Sequence, residues 1–295
     1  MDRVLLVFVD GIGLGVASDA NPFTRPRPGF SDFSLGDAWT AGTSKSGPSV
    51  SFTGIDACLG MEGLPQSGTG QASLYTGLNC VQLAGRHYGP YPHSATREAL
   101  REQSVFLRVG PSRCTFANAY PPKFFEWVGR TKRYPVTTRA CLDAGIEIRT
   151  TADLEAGHGV AADITGKGLA GHPGLNVTEV TPEVAGRRLV GLSRGYAFTL
   201  LEIFHTDKAG HAQDPDKAEA ILAPLGGLLA YLAEHRDPEL TVVVTSDHGN
   251  LEDLSVKTHT RNPVPLAVIG PGAPAFRDVR DLTGVTPAIA ELVRR

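Results

Sequence analysis

Short apolar runs that stop at a carboxylate are the feature that most constrains this chain. "VLLVFVD" ends on Asp10, "GYAFTLLEIFHTD" reaches Asp207, and "TVVVTSDH" ends on Asp247 and His248. Continuous runs of this length, rich in β-branched residues, are the pattern of strands buried on both faces. "VPLAVIG" near the C-terminus is a fourth. Between the second and third lies "DKAEAILAPLGGLLAYLAEHR", apolar at helical spacing. "DLTGVTPAIAELVRR" closes the chain as a helix, with Thr286 before Pro287 read as cap and first turn. Strands alternating with helices predict an α/β fold, a three-layer α/β/α sandwich around a mostly parallel sheet.

The middle of the chain breaks this rhythm. Residues 121–185 are rich in glycine, proline and charge, and read as a small inserted cap or lid. The core is then expected from 1–120 and 186–295. A length of 295 residues suits one large domain with such an insert.

Charge excludes one class of function. The formal net charge is −3, with no basic face of the kind that grips nucleic acid. The apolar run near the N-terminus is six residues long, short for a signal peptide, and no stretch reaches the ~18 apolar residues of a membrane span. Cys58, Cys80, Cys114 and Cys141 form no C-x-x-C pair, which is the usage of reduced thiols. A soluble cytoplasmic protein without nucleic-acid or membrane partners is expected.

The glycines after the first strand invite a dinucleotide site, but Gly11, Gly13 and Gly15 give G-x-G-x-G, followed by Val16, and the fingerprint fails. Asp10 is more informative. It sits at the carboxyl end of a strand, the edge of an α/β sheet where ligands bind, and it would repel a pyrophosphate while suiting a metal. Asp207 and His211 lie four apart, so one helical turn brings them to one side. Asp247 and His248 end the third strand, and His259 in "HTRNPVP" precedes the fourth. A lone Asp or His is more often a cap or a surface group. Three carboxylates and three histidines at one edge need a counter-charge. Mixed nitrogen and oxygen ligands suit zinc, manganese or iron better than calcium, and six ligands fit two metals about 4 Å apart. Of the other histidines (87, 93, 158, 172, 205 and 235), His205 is the most plausible decoy.

"LPQSGTGQASLYTG" supplies a hydroxyl. Ser67 stands just before a possible helix, whose first N–H groups can face an anion. A bound metal can activate such a serine without a histidine base. Thr69 is a rival two residues on.

In order, Asp10, Ser67, Asp207-x-x-x-His211, Asp247-His248 and His259 resemble the alkaline phosphatase superfamily. The resemblance is to the metalloenzyme branch with cofactor-independent phosphoglycerate mutases and phosphopentomutases. It covers roughly residues 1–85 and 195–295, through "DGIGLG", "TSDHGN" and "HTRNPVPL". It implies one metal at Asp10, Ser67, Asp247 and His248, and another at Asp207, His211 and His259, with Mn2+ or Zn2+ expected. It implies Ser67 as the nucleophile, a phosphoserine intermediate, and a small phosphorylated substrate as the partner. The activity implied is that of a metal-dependent phosphomonoesterase or phosphomutase. A phosphodiesterase or nucleotide pyrophosphatase on the same core is the alternative, as is a non-catalytic metal-binding relative.

The chain departs from these mutases at Gln71, where S-x-x-G-H would place histidine, and it lacks their arginine-rich substrate motif. The "GTGQ" after Ser67 also departs from the sulfatase pattern. Arg86, Lys123, Arg130, Arg133 and Arg139 are candidates for holding a second acidic group of the substrate, since guanidinium groups suit bidentate contact.

Overall fold

A computed structural model describes residues 2–294. Its strands are β1 (Arg3–Val9), β2 (Lys45–Ser46), β3 (Val50–Ile55), β4 (Cys114–Phe116), β5 (Ala119–Tyr120), β6 (Arg149–Thr150), β7 (Phe198–Ile203), β8 (Leu240–Thr245) and β9 (Val264–Ile269). The first helices are α1 (Ser67–Thr76), α2 (Cys80–Ala84), α3 (Arg97–Gln103), α4 (Val105–Val109), α5 (Pro122–Thr131), α6 (Val136–Asp143) and α7 (Thr151–Glu155). Then come α8 (Pro182–Ser193), α9 (His205–Ala212), α10 (Pro215–His235) and α11 (Val285–Leu292).

Seven strands form the central sheet in the order β2-β3-β9-β8-β1-β7-β4. β8, β1, β7 and β4 run parallel, whereas β9 is antiparallel to β8 and to β3. The pleat explains the apolar runs. In β1, Val4, Leu6 and Phe8 enter one core with Leu74 and Phe106, while Leu5, Val7 and Val9 enter another with Leu225 and Leu229. Side chains alternate across a strand, so both faces need apolar residues when helices cover both. α1, α6 and α11 supply residues to the first core, α8 and α10 to the second. The expected three-layer α/β/α sandwich with a mostly parallel sheet is the observed fold.

Two local readings change. The last helix begins at Val285, with Gly284 at its N-cap. Thr286 does not cap it, because its hydroxyl donates to the Leu74 carbonyl at 2.6 Å and ties α11 to α1. At the other site, Ser67 opens α1 as its first residue rather than standing before it.

Residues 121–185 do two different things. Val136, Ala140 and Cys141 of α6 are fully buried in the main core. Phe124 and Trp127 of α5 instead look into a recess beside Ser67.

Candidate metal and nucleophile site

The site assembles where strands end. Asp10 follows β1, and its N–H is held by the Ile203 carbonyl at the end of β7. Asp207 and His211 project from α9 one turn apart. Asp247 and His248 follow β8. His259 precedes β9, and the antiparallel direction of β9 delivers it to the same edge. Had β9 run parallel, its leading residues would lie on the opposite edge of the sheet.

Three imidazoles point one nitrogen inward. His259 Nδ1–H donates to the Pro65 carbonyl at 2.7 Å, and His211 Nδ1–H to the Lys257 carbonyl at 2.8 Å. A carbonyl only accepts, so each bond sets the tautomer and leaves Nε2 with a lone pair. These two Nε2 atoms face each other at 3.2 Å. His248 Nε2 lies 3.0 Å from Ser67 Oγ, 3.3 Å from Asp10 Oδ1 and 3.7 Å from Asp247 Oδ2. Asp207 approaches His211 at 3.3 Å and His259 at 3.6 Å. The His248 and His259 rings stack with centroids 3.7 Å apart.

This arrangement costs free energy on its own. Asp10 Oδ1 and both carboxylate oxygens of Asp247 are buried with no hydrogen-bond partner. Burial, reinforced by the Asp247 carboxylate, pushes the Asp10 carboxyl well above its usual range. Burial and neighbouring His248 pull the His259 imidazole down. Carboxylates without donors and lone pairs facing lone pairs are what a divalent cation satisfies. Two groups of ligand atoms lie within 4.8 Å of one another, Asp10–Asp247–His248 and Asp207–His248–His259. The donor set therefore fits divalent metal ions. It does not fit a Ser–His–Asp relay, in which the acid holds Nδ1. His248 Nδ1 faces the Gly249 carbonyl at 3.4 Å, and the acids crowd the nitrogen that faces the serine.

Residues that the sequence reading did not single out, and one it marked only as a departure from the mutase pattern, hold this geometry. Glu252 is fully buried and accepts the N–H of Gly13 at 2.8 Å, the N–H of Asn250 at 2.7 Å and the Asn262 amide at 3.0 Å, besides the Thr260 hydroxyl. It thus ties the loop after β1 to the segments carrying His248 and His259. Asn250 donates to Asp207 Oδ1 at 2.7 Å. Gln71, which replaces the mutase histidine, donates to Asp10 Oδ2 at 3.4 Å. Their signal was proximity to the motifs, but a polar residue beside a ligand has no spacing rule to betray it.

The glycines of "DGIGLG" are explained by close approach. Gly11 has φ +71°, and a Cβ there would meet Asp207 at 2.8 Å. Gly13 packs against the Glu252 carboxylate. Ser67 and Thr69 part company. Thr69 is fully buried and its hydroxyl accepts the Tyr88 N–H at 3.1 Å, while its own N–H donates to the Tyr88 carbonyl. That N–H at the start of α1 is consequently used by protein, not left for an anion.

Two recesses reach Ser67. One, of about 510 Å³, is lined by Asp10, Ser67, Gln71, Glu202, Asp207 and Lys208 together with aromatic side chains. The other, about 430 Å³, includes His211, Lys257 and His259. None of Arg86, Lys123, Arg130, Arg133 and Arg139 lines either. Arg139 pairs with Asp143 at 2.7 Å, Arg86 and Arg133 lie over the rings of Tyr88 and Tyr91, and Lys123 and Arg130 are exposed on α5. His205 is half-buried outside the cluster, lining a separate cleft.

The chain has an alkaline-phosphatase-like α/β fold. The chain is similar over 99% of its length to an alkaline phosphatase from the Antarctic bacterium TAB5 (TM-score 0.54, 13% identity, 98% of that chain). It is likewise similar to the PH0037 protein from Pyrococcus horikoshii (TM-score 0.59, 14% identity, covering 99% of this chain and 97% of that one). Residues 178–294 match the Metalloenzyme superfamily. A 2,3-bisphosphoglycerate-independent phosphoglycerate mutase from Thermomicrobium roseum is 31% identical over 134 residues, 41% of this chain and 25% of its own. The match thus spans about a quarter of that relative's length. The likeness to the alkaline phosphatase superfamily read from the motifs is borne out by fold and sequence together.

Proposed function

We propose that the protein is a metal-dependent phosphoryl-transfer enzyme, a phosphomonoesterase or phosphomutase acting on a small phosphorylated substrate. The observation that carries this reading is the pair of ligand groups sharing His248 beside the Ser67 hydroxyl. Asp10, Asp247 and His248, with Ser67, would hold one ion, and Asp207, His211 and His259 the other. Bound metals of this kind, Mn2+ or Zn2+, lower the pKa of a coordinated hydroxyl and neutralise phosphoryl oxygens.

Ser67 is the nucleophile in this reading. Its Oγ attacks phosphorus, the bond to the leaving alkoxide breaks, and phosphoserine forms. Water then takes the phosphoryl group in a phosphatase; another hydroxyl of the substrate takes it in a mutase. Glu252 and Asn250 keep the carboxylates and imidazoles aimed inward, and Gln71 holds Asp10. The α5 segment of residues 121–185 acts as the lid. The four cysteines are free and buried, in keeping with a reducing cytoplasm. Among the described residues no helix is long and apolar enough to cross a membrane.

The test is metal content together with phosphate release from monoesters and diesters. About two ions per chain and metal-dependent monoester hydrolysis are expected. Ser67→Ala should lose the phosphoenzyme and keep the metals. Thr69→Ala should lose stability by about 1–2 kcal/mol, through the unpaired Tyr88 N–H, and keep the phosphoenzyme. A phosphoenzyme persisting without the Ser67 hydroxyl would overturn the assignment, and preferential diester cleavage would favour the alternative activity.

A further inference from the structure

The larger recess over Ser67 combines acidic and aromatic side chains. Asp10, Glu202 and Asp207 line it, and so do Tyr91, Tyr120, Phe124, Trp127 and Phe204. The rings form near-parallel pairs: Tyr120 and Phe124 stack at 4.1 Å and 20°, Tyr91 and Trp127 at 6.3 Å and 28°. Tyr91, Phe124, Trp127 and Phe204 line the recess and are only partly buried. α5 is arranged for this. Phe124 and Trp127, three apart, face the recess, while Lys123, Glu126 and Arg130 face solvent.

Charge argues in the same direction. Among the described residues lining the recess, Lys208 is the one cation, and its Nζ lies 4.6 Å from the Phe204 ring centroid. Asp10 and Asp207 belong to the metals in that reading, so a second carboxylate or phosphate on the substrate would meet only Lys208 beside Glu202, with no guanidinium among the lining residues. A flat, uncharged ring would instead cover aromatic surface and displace water from it. The volume, about 510 Å³, is within the range of small-molecule pockets.

We propose that this recess receives the leaving group of a phosphate monoester, and that the leaving group carries a flat, uncharged ring. The proposal rests on the phosphoryl-transfer reading of Ser67, since the same recess contains Ser67 and Asp10. An arylalkyl phosphate and a nucleoside monophosphate share the required chemistry.

Two substrate pairs with matched primary-alkoxide leaving groups test it on the metal-loaded enzyme. Benzyl phosphate is compared with propyl phosphate, and adenosine 5′-monophosphate with ribose 5-phosphate. The ring-bearing member of at least one pair should show about tenfold higher kcat/KM, as expected from stacking on aromatic side chains. Which pair responds identifies the source of the ring. Trp127→Ala should collapse the ratio to within about threefold, and Trp127→Phe, which keeps a ring, should retain most of it. Independently of turnover, adenosine or benzyl alcohol should quench tryptophan emission in the Ser67→Ala protein. Trp39 is buried in the core, so the signal belongs to Trp127. Equal turnover of both pairs would overturn the ring proposal and leave phosphoryl transfer standing. Failure to hydrolyse any monoester, with metals bound, would overturn phosphoryl transfer; absence of quenching would then overturn the ring proposal as well.

Discussion

Replacing Asp247 by Asn separates a metal ligand from a structural carboxylate. Asp247 is fully buried, both of its oxygens lack partners, and it stands in one ligand group with Asp10. Two charges up to 4.8 Å apart repel by about 3 kcal/mol at an effective dielectric of about 20. In chelator at pH 8, Asp247→Asn removes that repulsion, and its amide can donate to Asp10. The metal-free variant should therefore be more stable than the parent, by up to about 6 °C in Tm for a chain of this size. With metal present the variant's advantage should close. Saturation to about 100 times Kd stabilises the parent by about 2.7 kcal/mol, a gain the variant should largely lose. Thermal unfolding in chelator and in excess Mn2+ or Zn2+ reads both effects. A variant less stable than the parent in chelator, or one keeping the full metal-induced shift, would refute the reasoning.

Two further outcomes follow from the same geometry. Burial raises Glu202 to about 7, so the folded protein binds more protons than the unfolded chain between about pH 4.5 and 7. The metal-free protein should lose about 3 kcal/mol as pH rises through that window, and Glu202→Gln should flatten the profile of unfolding free energy against pH. Gly11→Ala places a methyl against Asp207 at a positive φ. It should destabilise the fold by about 1–3 kcal/mol and weaken metal binding, as followed by titration of the metal-free protein.

Much of the sheet could be read in advance because burial on both faces leaves a plain record, a short run dominated by apolar and β-branched residues. β1, β7, β8 and β9 were all legible this way. β3 was not: "VSFTGI" mixes exposed and buried positions and pairs only antiparallel. β4 was missed because three residues are too few to show a period. Among site residues, Asp10, Asp247 and His248 were visible because strand ends locate them. Glu252 and Asn250 were not, because each acts by filling a hydrogen bond whose partner lies on another segment, and Gln71 was visible only as a departure from the mutase pattern.

By itself, the sequence determined the α/β alternation, the ordered acids and histidines, and Ser67 as a candidate. Those are local properties, set by side-chain period and residue chemistry. Tertiary structure decided the rest. The antiparallel β9 brought His259 to the edge where β1, β7 and β8 end. Thr69 was turned into the Tyr88 loop while Ser67 met His248, and the arginines of the middle segment were left outside the recesses while Phe124 and Trp127 were brought into one. Each of these depends on strand direction or helix rotation, which emerges only when distant segments pack together and every buried polar group must find its partner.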